Sequence, residues 1–311
     1  MGEVLGIHHM SAICGPAQEN LDFYTGVLGL RLVKLTVNFD DPSAYHLYYG
    51  DGLGQPGTLL TFFPYPGHPG RPGAGQATVT HLSIPLGSMP YWVDRFRRFD
   101  VDFDRPNSRE SRETMRFRAP DGLLLEFVAG REYRPPERRP GTEIPDENAV
   151  GGINAVTLIE RELTPTRAIL ENVLGFRLVS EKNGRFRFAV GDGGYGKVIE
   201  VIVDPDGLSS RQGHGSVHHI AFRVPNGSVQ AAIGLIAGDN GLKVSPVMDR
   251  DYFRSIYFRE PGGVLFEVAT DSPGFLVDES FESLGSGLRL PKQLQELRPK
   301  IERSLPKLEL R

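Results

Sequence analysis

Short apolar runs and an amphipathic helix follow one another in a regular order at the start of the chain. The run GIHHMSAIC from Gly6 has the β-branched and apolar content of a strand. Leu21, Tyr24 and Leu28 then recur on one face of a predicted helix. Three further apolar runs, bounded by Gly, Pro and Asp, follow before residue 66 and are typical of strands joined by turns. The pattern predicts a β-α-β-β-β module.

This module recurs along the chain. Two separate segments, GIHHMSAI and GVLGLRLVK, both reappear 152 − 6 = 146 residues later, as GINAVTLI and NVLGFRLVS. A second pair of modules shares RAPDGLLLEFVAG and REPGGVLFEVATD, and its strands VTHLSI and VHHIAF align His81 with His219. We therefore predict an α+β fold of four βαβββ modules, paired into two open mixed-sheet barrels.

The repeats and the composition divide the chain into four segments. An N-terminal half (1–132) and a C-terminal half (151–271) each hold two unlike modules. The segment between them (133–150) is rich in Pro and charge, which is typical of a linker. The tail (272–311) includes QLQELRPKIERSLPKL, which predicts an amphipathic helix interrupted or capped at Pro299. We expect this helix to pack on the body of the protein or on another subunit.

The composition argues against several classes of protein. Lys and Arg (35) are slightly outnumbered by Asp and Glu (39), so the net charge of 35 − 39 = −4 provides no basic surplus for nucleic acid or for an anionic membrane. The single cysteine, Cys14, rules out an internal disulfide and a cysteine-based zinc site. No signal peptide and no apolar run of membrane-spanning length is visible. We expect a soluble, cytoplasmic protein.

Four of the eight histidines form two adjacent pairs on predicted strands, His8-His9 and His218-His219. Side chains alternate between the two faces of a strand, so each pair can direct one imidazole into the interior of a curved sheet. Glu267 interrupts the apolar strand VLFEVAT, and a buried carboxylate is costly unless a cation or several donors pair with it. Two histidines and one carboxylate are a ligand set of non-haem Fe(II), which Mn(II) could also use.

The repeats leave two metal sites open. The alignment matches His219 with His81 and Glu267 with Glu126, so His9 could complete a triad with either pair. The surroundings favour the fourth module. It offers a phenol and a further imidazole, which can carry protons, whereas the second module offers a second arginine, which is a poorer proton carrier. The residues at matching offsets are His218, Arg250 and Tyr257 in the fourth module and Thr80, Arg109 and Arg116 in the second.

Several of these segments resemble a known family. FYTGVLGLRLV after an opening GIHHMS, in weakly similar repeats, resembles the vicinal oxygen chelate superfamily of glyoxalases, extradiol dioxygenases and bleomycin-resistance proteins. More narrowly, three features resemble the hydroquinone-type ring-cleaving dioxygenases: the segment from Asp249 to Phe275, the paired GIHH and VHHI, and the tail LGSGLRLPKQLQELRPKIERSLPKL. This resemblance covers nearly the whole chain. It implies Fe(II)-dependent insertion of both atoms of O2 into a hydroquinone or catechol-type aromatic.

The resemblance also implies roles for individual residues. It makes His9, His219 and Glu267 the Fe(II) ligands. His8, His218, Arg250 and Tyr257 would surround the metal site, and Ser11 stands where the family often has a small hydroxyl residue. His8 or His218 would serve as the base for the phenol proton and as a hydrogen-bond donor to the iron-bound oxygen species. Tyr257 and Arg250 would hold and polarise the ring oxygens. The expected partners are a small aromatic substrate and O2, and a homo-oligomer is compatible with the sequence.

Two other functions stay open at this point. A glyoxalase-like metal-dependent isomerase or lyase is the nearest rival, but it typically needs a fourth protein ligand, often a second Glu. No acidic residue stands at Ala155 or beside His9. A non-catalytic protein that sequesters an aromatic toxin would keep the cavity and lose the ligands. Three further histidines, His46, His68 and His214, are expected at the surface.

Overall fold

The computed structural model describes residues 4–109, 112–130, 133–137 and 142–310. Part of the predicted linker (133–150), residues 138–141, lies outside the described residues. The described end of this segment packs on the body of the protein. Ile144 is buried, and the backbone oxygen of Asn148 accepts a hydrogen bond from Trp92 Nε1 at 3.1 Å. None of the helices in the described ranges is long and apolar enough to cross a membrane.

The described strands form two eight-stranded mixed sheets, which confirms the predicted α+β fold of two open barrels. In chain order they are β1 (Gly6–Cys14), β2 (Arg31–Val37), β3 (Tyr45–Gly50), β4 (Leu59–Pro64), β5 (Gln76–Pro85), β6 (Asn107–Arg109), β7 (Arg112–Arg118), β8 (Leu124–Gly130), β9 (Ile153–Glu160), β10 (Arg177–Lys182), β11 (Arg185–Ala189), β12 (Val198–Val203), β13 (Ser216–Val224), β14 (Met248–Asp249), β15 (Phe253–Arg259) and β16 (Leu265–Pro273).

The two barrels do not coincide with the two halves of the chain. The first sheet has the order β14-β15-β16-β13-β1-β4-β3-β2, which combines the first and fourth modules. The second sheet has the order β10-β11-β12-β9-β5-β8-β7-β6, which combines the third and second modules. At the centre of each sheet two modules meet through an antiparallel pair, β1 with β13 and β5 with β9. Each barrel therefore depends on pairing between strands from different halves.

The strand registers correct the sequence alignment of the second module. In the first sheet His219 lies opposite Ser11. In the second sheet Thr157, the repeat equivalent of Ser11, lies opposite Val79. Val79 therefore occupies the place of His219, and the predicted match of His219 with His81 is wrong by two residues. A slip of two keeps every side chain on its original face, so the hydrophobic pattern of the strand does not reveal it.

A helix follows the first strand of each module. The face predicted from Leu21, Tyr24 and Leu28 is buried in the core. Gly29, just beyond the C-terminus of this helix, has a φ of +68°, and a Cβ there would lie 2.4 Å from Ile144 Cδ1. Both the backbone conformation and the close contact therefore require glycine. The described helices are α1 (Ala17–Leu21), which continues as a π-helical turn (Asp22–Val27), α2 (Met89–Arg98), α3 (Leu163–Asn172), α4 (Gly227–Asp239) and α5 (Arg298–Ser304).

The C-terminal tail lies on the first barrel. Its helix is shorter than the apolar pattern suggests, because Lys292–Leu297 is a 3-10 segment and α5 begins only beside Pro299, a residue that suits the first turn of a helix. Ile301 of α5 is buried. Tyr45 Oη on β3 donates a hydrogen bond to the backbone oxygen of Pro306 at 2.8 Å. These contacts tie the tail to the first module.

Two buried glutamates face each other where the third module meets the fourth. Glu260 accepts hydrogen bonds from Thr166 Oγ1 at 2.8 Å and from the backbone N–H groups of Gly262 and Val264 at 2.9 and 2.8 Å. Glu160 lies against the same loop and is 1% exposed, and its Oε1 has no hydrogen-bond partner among the described residues. Burial and the neighbouring Glu260 carboxylate raise the pKa of Glu160 to about 8.

This pair predicts a pH-dependent stability. The folded protein holds the Glu160 proton more tightly than the unfolded chain does, so the stabilisation is complete at acidic pH and is lost as the pH rises toward about 8. We expect Glu160→Gln to remove this component and to raise the free energy of unfolding at pH 8 by about 1 to 3 kcal/mol. Urea unfolding at several pH values measures it, with the exposed Glu162→Gln as the control. An unchanged pH dependence in Glu160→Gln would contradict the assignment.

Candidate functional site

Three strands bring His9, His219 and Glu267 together, and all three side chains are buried. The two Nε2 atoms of the histidines are 3.2 Å apart. Glu267 Oε2 lies 3.4 Å from His9 Nε2 and 2.8 Å from His219 Nε2. The strand register explains the convergence, because Ala221 on β13 pairs with His9 on β1 and also with Glu267 on β16.

The alternative triad is not assembled. His9 belongs to the first sheet, whereas β5 and β8, which carry His81 and Glu126, belong to the second. Arg109 and Arg116 donate hydrogen bonds to the two oxygens of Glu126 at 2.7 and 2.9 Å. Burial acts to raise the pKa of Glu126, but His81 and the two arginines outweigh it and lower the pKa to about 2. Only about 10 Å³ of free volume is left beside these groups, too little for a substrate.

The state of Glu267 indicates that the first barrel needs a positive charge. Its Oε1 accepts a hydrogen bond from Ser255 Oγ at 2.5 Å. Its Oε2 faces both imidazoles without an aligned hydrogen bond to any described residue. Burial acts to raise the pKa of Glu267, but His9 and His219 outweigh it and hold the pKa well below its usual range. Burial also lowers the pKa of His219. An ionised carboxylate beside two imidazoles is a donor set that fits a divalent transition metal.

Each of the two facing histidines is held by its neighbour in sequence. His9 Nδ1 lies 2.9 Å from His8 Nδ1, and His219 Nδ1 lies 2.8 Å from His218 Nδ1. These contacts turn both Nε2 atoms toward the carboxylate. His8 and His218 can each accept a hydrogen bond from Nδ1 of the next histidine. Proteins commonly orient a metal-binding imidazole through such a bond to its other ring nitrogen.

Two β-bulges explain how adjacent histidines contact each other. The ladder between β1 and β13 passes from Ile7 directly to His9, and it skips His218 between His219 and the next paired residue. The extra residue in each bulge is therefore the outer histidine, His8 or His218. A bulge re-aims a side chain that strict alternation would send to the opposite face. The simple alternation expected for the two pairs does not hold here.

A cavity of about 360 Å³ opens beside the three converging side chains, a size that suits a small ligand. Of the surrounding residues implied by the family resemblance, His218, Arg250 and Tyr257 line this cavity, whereas His8 and Ser11 lie behind its wall. The lining residues are His9, Asn38, Phe39, Asp40, His46, Tyr48, Phe63, Tyr65, His218, His219, Arg250, Phe253, Tyr257, Leu265 and Glu267.

One side of the cavity is polar. Arg250 Nε donates to Tyr257 Oη at 3.2 Å, and its Nη2 pairs with Asp40 Oδ2 at 3.0 Å. Burial raises the pKa of Tyr257, so the phenol keeps its proton at neutral pH. Burial, followed by His219, lowers the pKa of His218 to about 3, so this imidazole is neutral. The cavity thus offers two neutral hydrogen-bonding groups beside one guanidinium.

One residue predicted at the surface belongs to the cavity. His46 on β3 is buried and lines the cavity, so the surface prediction is wrong. The strand YHLYYG is buried along its whole length, with Tyr49 Oη bonded to Asn20 of α1 on the outer side. Such a strand has no alternation to mark its inward residues. His68 is exposed as predicted, and His214 is half-buried beside the backbone oxygen of Tyr65.

Comparisons with known proteins find a matching family and full-length relatives. The model of the Glyoxalase/Bleomycin resistance protein/Dioxygenase superfamily matches residues 6–127 and 152–268. The chain is 42% identical over 311 residues to "Putative ring-cleaving dioxygenase MhqO" of Bacillus subtilis (strain 168), covering 99% of this chain and 98% of that protein. It is 34% identical over 309 residues to "Chlorohydroquinone/hydroquinone 1,2-dioxygenase" of Sphingobium indicum, covering 97% and 96%.

Solved structures show the same architecture. A crystal structure described as a "putative dioxygenase" from Bacillus subtilis subsp. subtilis str. 168 superposes with a TM-score of 0.95 at 41% identity, covering 100% of this chain and 99% of that one. Glyoxalase I from Zea mays superposes with a TM-score of 0.65 at 15% identity, covering 86% and 92%. The second likeness concerns the fold alone.

The converging side chains predict which variants lose a metal. We expect the wild type to take up Fe(II) under anaerobic conditions, and we expect His219→Ala and Glu267→Gln to lose most of it, because each would remove one of three candidate ligands. His81→Ala should retain it, since His81 lies in the second barrel. Metal analysis after desalting measures both. Retention in His219→Ala together with loss in His81→Ala would move the site to the other barrel.

Proposed function

The chain belongs to the glyoxalase, bleomycin resistance protein and dioxygenase superfamily, and from that premise we propose that it is a ring-cleaving dioxygenase of hydroquinones or catechols. The reaction would insert both atoms of O2 into the substrate and open its ring. The observation that carries the proposal is the convergence of His9, His219 and Glu267 beside an aromatic-walled cavity. The reaction classes in the relatives' names support it.

The three converging residues would hold Fe(II), with Mn(II) as an alternative. Two imidazoles and one carboxylate leave coordination positions free for other ligands. When bound, such a metal would supply the positive charge that lowers the pKa of a phenolic hydroxyl, and it would activate O2. Oε2 of the buried Glu267 carboxylate faces the two imidazoles without an aligned hydrogen bond, which supports a cation at this place.

The walls of the cavity suit a flat aromatic ring. Tyr48 and Phe63 lie against His46 with ring centres 4.0 and 4.2 Å away. Phe253 lies 5.2 Å from His9 between ring centres. A pocket with aromatic walls and a few polar groups binds a small aromatic ligand through apolar burial and orients it through hydrogen bonds.

The pairing of the histidines supports a donor role for His218. An imidazole that uses Nε2 for a metal carries its proton on Nδ1, so His219 would donate to His218 Nδ1, 2.8 Å away. Neutral His218 then carries its own proton on Nε2. It would present this N–H to negative charge that develops on the substrate or O2. Of the two roles expected for His218 from the sequence, base and hydrogen-bond donor, this pairing supports the donor.

The place of a fourth protein ligand is taken by Thr61. In the first module Thr61 on β4 pairs with Ser11 on β1, and in the fourth module Glu267 on β16 pairs with Ala221 on β13. The register between β1 and β13 makes Thr61 the equivalent of Glu267 in the other module of the barrel. A glyoxalase-like isomerase would need a carboxylate at this position. The Thr61 hydroxyl instead lies 2.7 Å from Ser11 Oγ. This arrangement favours a reaction that needs free positions on the metal for substrate and O2.

Oxygen uptake tests the proposal. After anaerobic loading with Fe(II), the protein should consume O2 when a hydroquinone or a catechol is added, and it should leave a glutathione hemithioacetal unchanged. The His219→Ala variant, treated identically, is the control for metal-independent oxidation. No oxygen consumption with any diphenol would refute the dioxygenase proposal, and turnover of the hemithioacetal would favour the isomerase.

Tyr257 provides a second test. Its phenol is bonded to Arg250 beside the converging ligands, so Tyr257→Phe should lower kcat by about 10- to 1000-fold through loss of a donor to the reacting oxygens, with the Fe(II) content unchanged. Tyr65→Phe is the matched control, because Tyr65 Oη also borders the cavity but is bound by Asn38 Nδ2 at 2.6 Å. Equal losses in both variants would mean that Tyr257 has no special role.

A further inference from the structure

Asp40 is a charged residue of the cavity wall that the proposed reaction does not use. It lies in the segment after β2, and Arg250 follows β14 directly. β2 and β14 are the two edge strands of the first sheet. The two oxygens of Asp40 accept hydrogen bonds from Arg250, at 3.3 Å from Nη1 and at 3.0 Å from Nη2. This bidentate ion pair therefore joins the opposite edges of the curved sheet beside the cavity.

Hydrogen bonds within its own segment hold Asp40 in this position. Its backbone N–H donates to Asn38 Oδ1 at 2.9 Å, and Asn38 Nδ2 donates to Tyr65 Oη in the cavity wall at 2.6 Å. The backbone N–H of Asn38 donates to the oxygen of Ala44 at 2.9 Å, which closes the segment. The Asp40 side chain is 63% exposed, but a fixed backbone and bidentate geometry distinguish this pair from an ordinary surface ion pair.

The pair determines the charge that this side of the cavity presents to a ligand. Arg250 is the only arginine or lysine among the described residues that line the cavity. Three of its N–H groups are committed, one to Tyr257 Oη and two to Asp40. A carboxylate is the group that a free guanidinium binds best, because the two planar groups form parallel hydrogen bonds. Asp40 fills this binding position with a carboxylate of the chain itself.

We propose that Asp40 is a specificity-determining residue that excludes aromatic ligands with an anionic substituent. An incoming carboxylate would have to displace Asp40 from Arg250 or lie beside it uncompensated, and like charges at close range repel each other. A neutral ring meets neither obstacle. The inference rests on the proposed function, because it assumes that an aromatic ligand enters this cavity. It applies equally to hydroquinones and catechols.

Two ligands of the same shape test this charge selection. 2,5-Dihydroxybenzoate is an anion at neutral pH, and 2,5-dihydroxybenzamide is its neutral counterpart. In anaerobic calorimetry with the Fe(II)-loaded protein, we expect Asp40→Asn to strengthen binding of the benzoate by about 10-fold, because one like charge is removed at close range. Binding of the benzamide should change by no more than about 3-fold. Comparing each ligand between wild type and variant cancels the contacts that it makes with the metal.

Three further variants separate the charge of Asp40 from its structural role. Asp41→Asn removes the neighbouring carboxylate, which is bonded to Ser43 Oγ at 2.6 Å, and should alter benzoate binding by no more than about 3-fold. Asp40→Glu retains the charge and should keep benzoate binding weak. The double variant Asp40→Asn, Arg250→Gln should lose the gain in benzoate binding, because no guanidinium is left for the carboxylate.

The outcomes separate this inference from the proposed function. Equal strengthening of benzoate and benzamide in Asp40→Asn would overturn it, as would unchanged benzoate binding or a gain that survives Arg250→Gln. If the wild type binds neither ligand, the inference stands only if Asp40→Asn binds the benzoate. Oxygen uptake with a neutral diphenol would leave the dioxygenase intact in each of these cases. Charge selection by Asp40 without any oxygen uptake would support Asp40 and refute the dioxygenase.

Discussion

The burial of the Glu267 carboxylate is the constraint on which the first barrel depends. A charge with no exposed surface is tolerated only when strong partners surround it. Ser255 satisfies one oxygen from β15, and His9 and His219 face the other from β1 and β13. Four strands must therefore keep a fixed register for one carboxylate, and this register also sets the geometry of the cavity.

The site exists only because distant parts of the chain pair. β1 comes from the first module and β13 from the fourth, so neither half of the sequence contains a complete site. The tail strengthens this connection. Lys34 on β2 has no exposed surface, and its Nζ is bonded to Asp278 at 2.6 Å and to Glu279. Tyr252, beneath the same ammonium, is bonded to Asp278. The segment after β16 is thus fastened to the opposite side of the sheet from its own module.

The sequence predicts the modules and the fold, because the alternation of apolar runs and helices recurs over the whole chain. It also identifies His9, His219 and Glu267 as candidate ligands, since polar groups in apolar strands are conspicuous. It cannot reveal that Val79, not His81, is the equivalent of His219 in the second barrel. A shift of two residues leaves every side chain on the same face of the strand, so the hydrophobic pattern does not change. Nor can it identify His46 as a cavity residue, because β3 is buried on both faces.

Both barrels bury carboxylates in their interior, and the charge of these carboxylates is compensated differently in each. In the second barrel Glu126 and Glu200 occupy the places of Glu267 and Thr61. Arginines supply the compensating charge there: Arg109 and Arg116 bind Glu126, and Arg185 binds Glu200 at 2.6 Å.

A guanidinium is part of the chain and fills the interior of the second barrel permanently, which leaves about 10 Å³ free. The first barrel has no such arginine beside Glu267 among the described residues, and it keeps about 360 Å³. A small removable cation at Glu267, in place of a side chain, would leave this space free for a substrate.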